Sequence, residues 1–164
     1  MTFKNTQDTF YKKIDFLPQI PNRLIDDIES IKKRGNIFPE KYSHFYSCYQ
    51  VSPELYWFLQ NYFHQRANIR YQLITDKLPI HVDKGELEFR YNYILQAGGN
   101  NVATRWWDSL QNPTNILYEN IASCFTWHRV TTNIPHDISQ VSSYRLSIEV
   151  HFPKTEEEID EVPN

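Results

Sequence analysis

Cysteine, glycine and methionine are all scarce in this chain of 164 residues, which contains two Cys, four Gly and one Met. The two cysteines, Cys48 and Cys124, form neither a disulfide framework nor the ligand spacing of a zinc site, so we expect reduced thiols. No run of residues approaches the roughly 18 apolar residues that a membrane-spanning helix needs, and residues 1–7 lack the apolar core of a signal peptide. These absences predict a soluble protein without a membrane partner, by default in the cytoplasm.

Excess positive charge is also absent. The formal net charge is −3, but residues 154–164 carry five acidic residues and one lysine, which leaves the rest of the chain about neutral at +1. A broad basic face, which nucleic-acid binding usually needs, is therefore not expected. This favours a small-molecule or peptide substrate over a nucleic acid. We expect residues 154–164 to form a solvated, flexible acidic tail.

Aromatic residues are abundant, with 11 Tyr, 10 Phe and 4 Trp. After residue 68 the chain consists of short runs rich in β-branched and aromatic residues, separated by turn residues. Seven or more such strands predict a mainly β sandwich or barrel with helices packed outside it. The expected strands cover residues 69–75, 78–83, 86–96, 102–107, 115–119, 124–131 and 144–152.

Two helices are expected before these strands. Leu24, Ile28 and Ile31 recur at helical spacing over residues 22–34, and Ser52 with Pro53 can begin a second helix. Residues 1–20 are interpreted as an extended segment and residues 37–49 as a loop. We therefore expect one domain over residues 1–153, with a helical lead-in over 1–68 and a β-barrel core over 69–153.

Three residues form a candidate metal site. His81 and Asp83 lie two residues apart in a predicted strand, so both side chains leave the same face and can chelate one cation. His136, which follows a proline at the start of a predicted loop, could complete a set of two imidazoles and one carboxylate. Non-haem Fe(II) oxygenases use this set, because it leaves octahedral positions open for a co-substrate and oxygen.

The last predicted strand alternates strictly between apolar and polar residues. One face holds Leu146, Ile148, Val150 and Phe152, and the other holds Arg145, Ser147, Glu149 and His151. An arginine and a serine two residues apart suit the binding of a carboxylate. The competing interpretation is an outward polar face on an edge strand, and Glu149 and His151 fit it better than they fit a barrel interior.

The order His81-x-Asp83, then His136, then Arg145-x-Ser147 resembles the 2-oxoglutarate and Fe(II)-dependent oxygenase superfamily. The flanking sequence is similar to small members found in phage and bacterial genomes, which are compared with prolyl and aspartyl/asparaginyl hydroxylases. The resemblance covers about residues 69–152. It implies a double-stranded β-helix, a jelly-roll barrel related to the cupins, with the metal at its open end.

The resemblance also implies roles for individual residues. His81, Asp83 and His136 would bind Fe(II), and Arg145, helped by Ser147, would pair with the distal carboxylate of 2-oxoglutarate. Asn92 and Thr104 lie on strands that line the pocket in this family, and either could hydrogen-bond the co-substrate. The implied activity is a dioxygenase that uses O2 to hydroxylate a peptide side chain or a small molecule, with release of succinate and CO2.

Three alternatives stay open. His128 could replace His136 as the third ligand, because some nucleic-acid demethylases of the superfamily have a longer gap before the arginine. We favour His136, since the sequence Asn-x-Pro-His matches the small hydroxylase-like members. The chain could also be a degenerate jelly-roll binding module, or a cupin-like metalloprotein that does not use 2-oxoglutarate. The Arg145-x-Ser147 pair favours the oxygenase, because a cupin has no need of a carboxylate clamp.

Overall fold

The structure, a computed structural model, describes residues 9–37, 46–63, 66–83 and 88–153, so the acidic tail lies outside the described residues. The described residues form a mainly β fold of two sheets with few helices, which confirms the predicted class. Its strands are β1 (Tyr11–Ile14), β2 (Ser47–Gln50), β3 (Asn68–Ile74), β4 (Leu78–His81), β5 (Phe89–Gln96), β6 (Thr104–Trp107), β7 (Ile116–Asn120), β8 (Trp127–Thr131), β9 (His136–Ile138) and β10 (Arg145–His151).

The large sheet has six strands in the order β1-β8-β5-β10-β3-β2, and the small sheet has four in the order β4-β9-β6-β7. Neighbouring strands in both sheets are antiparallel. From β3 onward the chain crosses repeatedly between the sheets, so residues close in sequence reach opposite layers. Strand β10 lies between β5 and β3, and every one of its residues is buried.

The two faces of the large sheet differ in polarity. On the outer face, Leu146, Ile148 and Val150 of β10 belong to an apolar core that also contains residues of the preceding segment, namely Leu24, Ile31, Leu55 and Leu59. Two smaller apolar clusters join the large sheet to the small one, the first around Ile74, Leu78 and Ile138 and the second around Phe10, Trp106 and Val130. Most other inner positions of β10 and its neighbours are polar, and one of these side chains, Arg90, contacts Asp83 of the candidate site.

The helices before the strands are shorter than predicted. A 3₁₀ helix (Asn22–Leu24) and helix α1 (Ile28–Lys33) replace the continuous helix expected over 22–34. The Asp27 side chain accepts a hydrogen bond from the Ser30 N–H at 2.9 Å, so it caps α1 and breaks the longer helix. Helix α2 (Pro53–Gln60) begins as predicted, because Ser52 caps it by accepting from the Leu55 N–H. The helices of the described residues are all too short or too polar to span a bilayer.

Three short strands were not predicted. Strands β1 and β2 lie at the edges of the large sheet, in segments interpreted as an extended lead-in and a loop, and β9 lies within a predicted loop. Each has three or four residues, too few for a clear alternation, and β1 contains two lysines. Such strands form because a longer neighbour offers free backbone groups, and local propensity does not reveal this. The domain boundaries at residues 68 and 153 stay a prediction.

The turn after β5 positions the beginning of β10. Gly98 has φ +92°, and its carbonyl oxygen accepts hydrogen bonds from the Ser142 and Ser143 N–H groups at 2.8 and 3.2 Å. A Cβ atom at Gly98 would lie 2.9 Å from a methyl group of Val141 and 3.3 Å from the Cβ of Arg145. This close approach needs glycine for two reasons, the left-handed backbone and the lack of space.

Replacing Gly98 by alanine should therefore destabilise the protein more than the same change at Gly35, which has φ +80° but open space around its Cβ position. We expect Gly35→Ala to lower the free energy of unfolding by about 1 kcal/mol through backbone conformation alone. Gly98→Ala should cost a further ~1–3 kcal/mol through overpacking. Urea unfolding of both variants measures the difference, and equal losses would contradict this account of the turn.

Candidate metal centre

The small sheet brings His81 and His136 side by side. His81 ends β4 and pairs with His136, the first residue of β9, and the centroids of the two rings are 4.4 Å apart. Asp83 lies two residues past β4, where its backbone N–H donates to the Thr132 carbonyl oxygen at 3.1 Å. One potential ligand atom from each of the three residues lies within 4.8 Å of the others. The structure therefore groups His81, Asp83 and His136.

Two details of this group differ from the sequence prediction. The strand expected over residues 78–83 ends at His81 in the structure, so Asp83 lies beyond it. The backbone N–H of Asp83 donates to Thr132, which directly follows β8 of the large sheet, instead of continuing along β4. His136 lies in a strand, where a loop was expected, because β9 fits between β4 and β6. Backbone pairing with a distant segment decides both positions, and the local sequence carries no sign of it.

Each imidazole is oriented by a backbone carbonyl group two residues before it. His81 Nδ1 lies 2.7 Å from the Pro79 oxygen, and His136 Nδ1 lies 2.7 Å from the Ile134 oxygen. A carbonyl oxygen only accepts, so Nδ1 carries a proton and donates in both rings. This leaves the two Nε2 atoms facing Asp83, at 3.5 Å for His81 and 3.3 Å for His136. Metal-binding histidines are commonly oriented in this way, with the second nitrogen held by a carbonyl group.

The Asp83 carboxylate is charged although it is largely buried. Burial acts to raise its pKa, but hydrogen bonds from His136 and His81 and the charge of Arg90 outweigh burial and hold that pKa well below its usual range. Burial acts to lower the pKa of His81, yet the contact with Asp83 outweighs it and raises that pKa. A cation among the three residues would compensate the carboxylate in place of a proton on the imidazole.

The donor set fits a transition-metal ion. Two imidazole nitrogens and one carboxylate oxygen form the set that suits non-haem Fe(II), and three protein ligands leave further octahedral positions open. In the described part of the chain, His81, Asp83 and His136 are the one group of three or more such residues close enough to share an ion. That they bind a metal stays a prediction.

A chain of buried charges runs from Asp83 across the inner face of the large sheet. Arg90 on β5 contacts Asp83 Oδ2 through Nη2 at 2.9 Å and Glu149 Oε1 through Nη1 at 2.7 Å. Arg70 on β3 contacts the other Glu149 oxygen, Oε2, through Nε at 3.1 Å. Glu149 is 1% exposed, and burial acts to raise its pKa, but the two arginines outweigh burial and lower that pKa. The four formal charges, two negative and two positive, cancel.

The interpretation of Glu149 and His151 as an outward polar face was wrong, because both are buried on an inner strand. Sequence reasoning also missed Arg70 and Arg90 as the partners of Glu149. The sequence did contain a signal. Each arginine stands between two apolar or aromatic residues of its strand, as Glu149 stands between two apolar residues of β10. Opposite charges on the inward phases of three strands indicate ion pairs across the sheet.

Arg145 and Ser147 share the inner face of β10 with Glu149, since they alternate with its apolar residues. Arg145 is 4% exposed, and in the described part of the chain no carboxylate lies within ion-pair distance of it. Burial lowers the pKa of Arg145 to about 10, so the guanidinium is still charged at neutral pH. An unpaired charge at this depth is costly and marks a place where an anion would be strongly favoured.

The remaining candidates divide between the two sheets. Asn92 on β5 lies in register with Glu149 on one side and His128 on the other, and its Oδ1 is buried without a hydrogen-bond partner among the described residues. Thr104 lies on β6 of the small sheet, two residues before Trp106, which pairs with His136. Alternation therefore places Thr104 on the same face of the small sheet as His136.

His128 lies on β8 of the large sheet, outside the group formed by His81, Asp83 and His136. It is 1% exposed, and no described residue hydrogen-bonds its Nε2 atom. Burial, followed by the charges of Arg145 and Lys13, lowers the pKa of His128 to about 4, so its ring is neutral at pH 7. Its place among the inner polar residues was not anticipated from the sequence.

No protein-family model matches the sequence, and no curated protein matches it either. Similar solved structures include protein TT1209 from Thermus thermophilus, at 13% identity and a TM-score of 0.45, over 80% of this chain and 99% of that one. Vicilin from hazelnut, Corylus avellana, has 8% identity and a TM-score of 0.45, and the match covers 75% of this chain and 32% of that one.

A third similar structure is an oxidoreductase of the 2OG-Fe(II) oxygenase family from Burkholderia pseudomallei. It has 13% identity and a TM-score of 0.43, over 77% of this chain and 75% of that chain. At these identities and scores the likeness shows neither the family nor the activity of this chain.

The contrast between two buried arginines gives a direct test of the site. Arg145→Met removes a charge that has no anionic partner within residues 9–37, 46–63, 66–83 and 88–153, so we expect the metal-free protein to become more stable by ~1–3 kcal/mol. Arg90→Met leaves Asp83 and Glu149 with an uncompensated charge, so it should lower stability by ~3–5 kcal/mol. Chemical unfolding at pH 7 measures both values. A loss of stability in Arg145→Met as large as that in Arg90→Met would show that Arg145 already has a partner.

Proposed function

We propose that the protein is an Fe(II)- and 2-oxoglutarate-dependent dioxygenase built on a double-stranded β-helix. One observation carries the proposal: a set of two histidines and one aspartate lies on the same molecule as a buried arginine that has no carboxylate partner among the described residues. Each half alone fits several kinds of protein. Together they provide a place for a metal ion and a place for the distal carboxylate of a chelating dicarboxylate.

Charge compensation supports an anionic co-substrate. The charges of Asp83, Arg90, Glu149 and Arg70 cancel, so a divalent cation would add two positive charges and Arg145 contributes a third. Buried positive charge of this size is unfavourable without an anion. The dianion 2-oxoglutarate would offset two of the three charges, which a neutral ligand or a monocarboxylate would not do.

Each residue then has a defined task. His81, Asp83 and His136 would hold the iron, and when bound, Fe(II) together with O2 and 2-oxoglutarate supplies the oxidising power that amino-acid side chains lack. Arg145 would bind the distal carboxylate through its planar fork, and the Ser147 hydroxyl would donate a further hydrogen bond. This contact would aim the keto-acid end of the co-substrate at the metal.

Asn92 and Thr104 are proposed to hydrogen-bond the co-substrate from opposite sheets. The buried Oδ1 of Asn92, which has no partner among the described residues, supports its part in this role. Thr104 is buried on the face of the small sheet that also carries His136. Packing of both sheets around these groups would keep bulk water away from the reacting atoms.

The substrate is proposed to be a peptide side chain or a small molecule, which would be hydroxylated with release of succinate and CO2. The near-neutral charge of residues 1–153 supports this class over nucleic acid, because phosphate binding needs a concentration of Lys and Arg. The absence of a long basic run in the sequence supports the same preference.

An anaerobic titration tests the proposal. Metal-free protein is mixed with Fe(II) and then with 2-oxoglutarate, and the visible metal-to-ligand charge-transfer band of the chelate is recorded. We expect the band in the wild type and in His128→Ala, and its loss in His136→Ala, which removes a proposed ligand. Arg145→Met should need at least ~10-fold more 2-oxoglutarate, since it loses a charged hydrogen-bond pair.

Arg105→Met is the matched control for Arg145→Met. Arg105 lies on β6 and pairs with Asp137, next to His136 in sequence but on the other face of the strand. The Arg105→Met substitution should leave the titration with Fe(II) and 2-oxoglutarate unchanged. Absence of the band in a wild type that has bound iron would overturn the oxygenase assignment and leave a cupin-like metalloprotein. A band lost in His128→Ala and retained in His136→Ala would transfer the ligand role to His128.

A further inference from the structure

We propose that Glu149 is a positioning residue that sets the metal affinity of the centre by drawing Arg90 away from the Asp83 carboxylate. The inference rests on the proposed metal site. It concerns a residue on β10, away from the strands β4 and β9 that carry the two histidines. Among the described residues, its side chain is connected to Asp83 through Arg90.

The geometry places Arg90 in competition with a metal ion. The Asp83 oxygen that Arg90 contacts, Oδ2, is the same oxygen that lies 3.3 Å from His136 Nε2. A metal bound between Asp83 and His136 would therefore share that oxygen with the guanidinium. The closer the positive guanidinium of Arg90 lies to Oδ2, the more it repels a metal cation bound to the same oxygen.

Glu149 affects how strongly Arg90 holds Asp83, because Arg90 contacts both of these carboxylates in the described part of the chain. Its contact with Glu149, at 2.7 Å, is shorter than its contact with Asp83, at 2.9 Å. Arg90 is buried, so its guanidinium cannot turn outward into water to relieve the competition. If the attraction between Glu149 and Arg90 became weaker, Arg90 would hold Asp83 more strongly. If that attraction became stronger, Arg90 would hold Asp83 more weakly.

Glu149, like Arg90, contacts two oppositely charged side chains. One Glu149 oxygen contacts Arg90 and the other contacts Arg70. Loss of the Arg70 charge would therefore strengthen the attraction between Glu149 and Arg90 and weaken the hold of Arg90 on Asp83. Because the charges alternate along this chain, neighbouring substitutions should change metal affinity in opposite directions.

Opposite signs separate this positioning role from a general structural role. Glu149→Gln should weaken Co(II) binding by ~10-fold, the lower end of the range for residues that orient metal ligands. Arg70→Gln should leave Co(II) affinity equal to or higher than that of the wild type, although it also disrupts a buried ion pair. If both residues acted only by keeping the fold intact, both variants would lose affinity in step with their stability.

The measurement is calorimetric titration of metal-free protein with Co(II), accompanied by thermal unfolding of each metal-free variant. Arg105→Gln serves as the control, because it breaks the ion pair with Asp137 on the face of the small sheet opposite His136. We expect this variant to bind Co(II) with wild-type affinity. Wild-type affinity in Glu149→Gln, or weakened binding in Arg70→Gln, would overturn the inference. If Glu149→Gln does not fold, the Co(II) affinity of Arg70→Gln alone still tests the inference.

The two proposals fail in distinguishable ways. If the wild type binds Co(II) and Glu149→Gln binds it equally well, the positioning role is wrong and the metal site stands. If the wild type does not bind Co(II), the metal site itself is wrong, and the role of Glu149 is overturned with it.

Discussion

The compensation of charge between the two sheets is the constraint on which the candidate site depends. Strand β10 is covered on both faces, yet its inward positions carry an arginine, a glutamate and a histidine. Each buried charge on such a strand is costly unless it is matched by an opposite charge. Glu149 is matched by Arg70 and Arg90, and Arg90 in turn by Asp83, whereas Arg145 has no carboxylate near it in the described part of the chain. The same strand therefore orders one part of the site and leaves the other ready for an anion.

The two histidines and the aspartate of the metal site are held in place by different kinds of interaction. His81 and His136 are fixed by backbone pairing of β4 with β9 and by carbonyl groups on their Nδ1 atoms. Asp83 is fixed by a backbone bond to the other sheet and by Arg90, so its carboxylate depends on side chains that could rearrange. A metal ion here would meet two rigid ligands and one adjustable ligand. The adjustable ligand is the point at which the rest of the protein can tune affinity.

The sequence predicted the elements that depend on local pattern and missed those that depend on distant partners. The strict alternation of residues 144–152 and the cap formed by Ser52 were readable, because neighbouring residues determine both. The grouping of His81, Asp83 and His136 was anticipated from residue types in chain order together with the family resemblance. The short strands β1, β2 and β9 were not, since pairing with a distant strand creates them. Glu149 was assigned to solvent because alternation shows that two faces differ and does not show which is covered.

We propose that a metal ion and a dicarboxylate share one charge-compensated space in this protein. Calorimetric titration of 2-oxoglutarate into the protein under nitrogen, with and without saturating Fe(II), tests this most directly. If the two ligands share this space, iron should tighten 2-oxoglutarate binding by about 10-fold or more, within the usual range of coupling between two sites. Equal affinity with and without bound iron would contradict it, because the two ligands would then occupy independent sites.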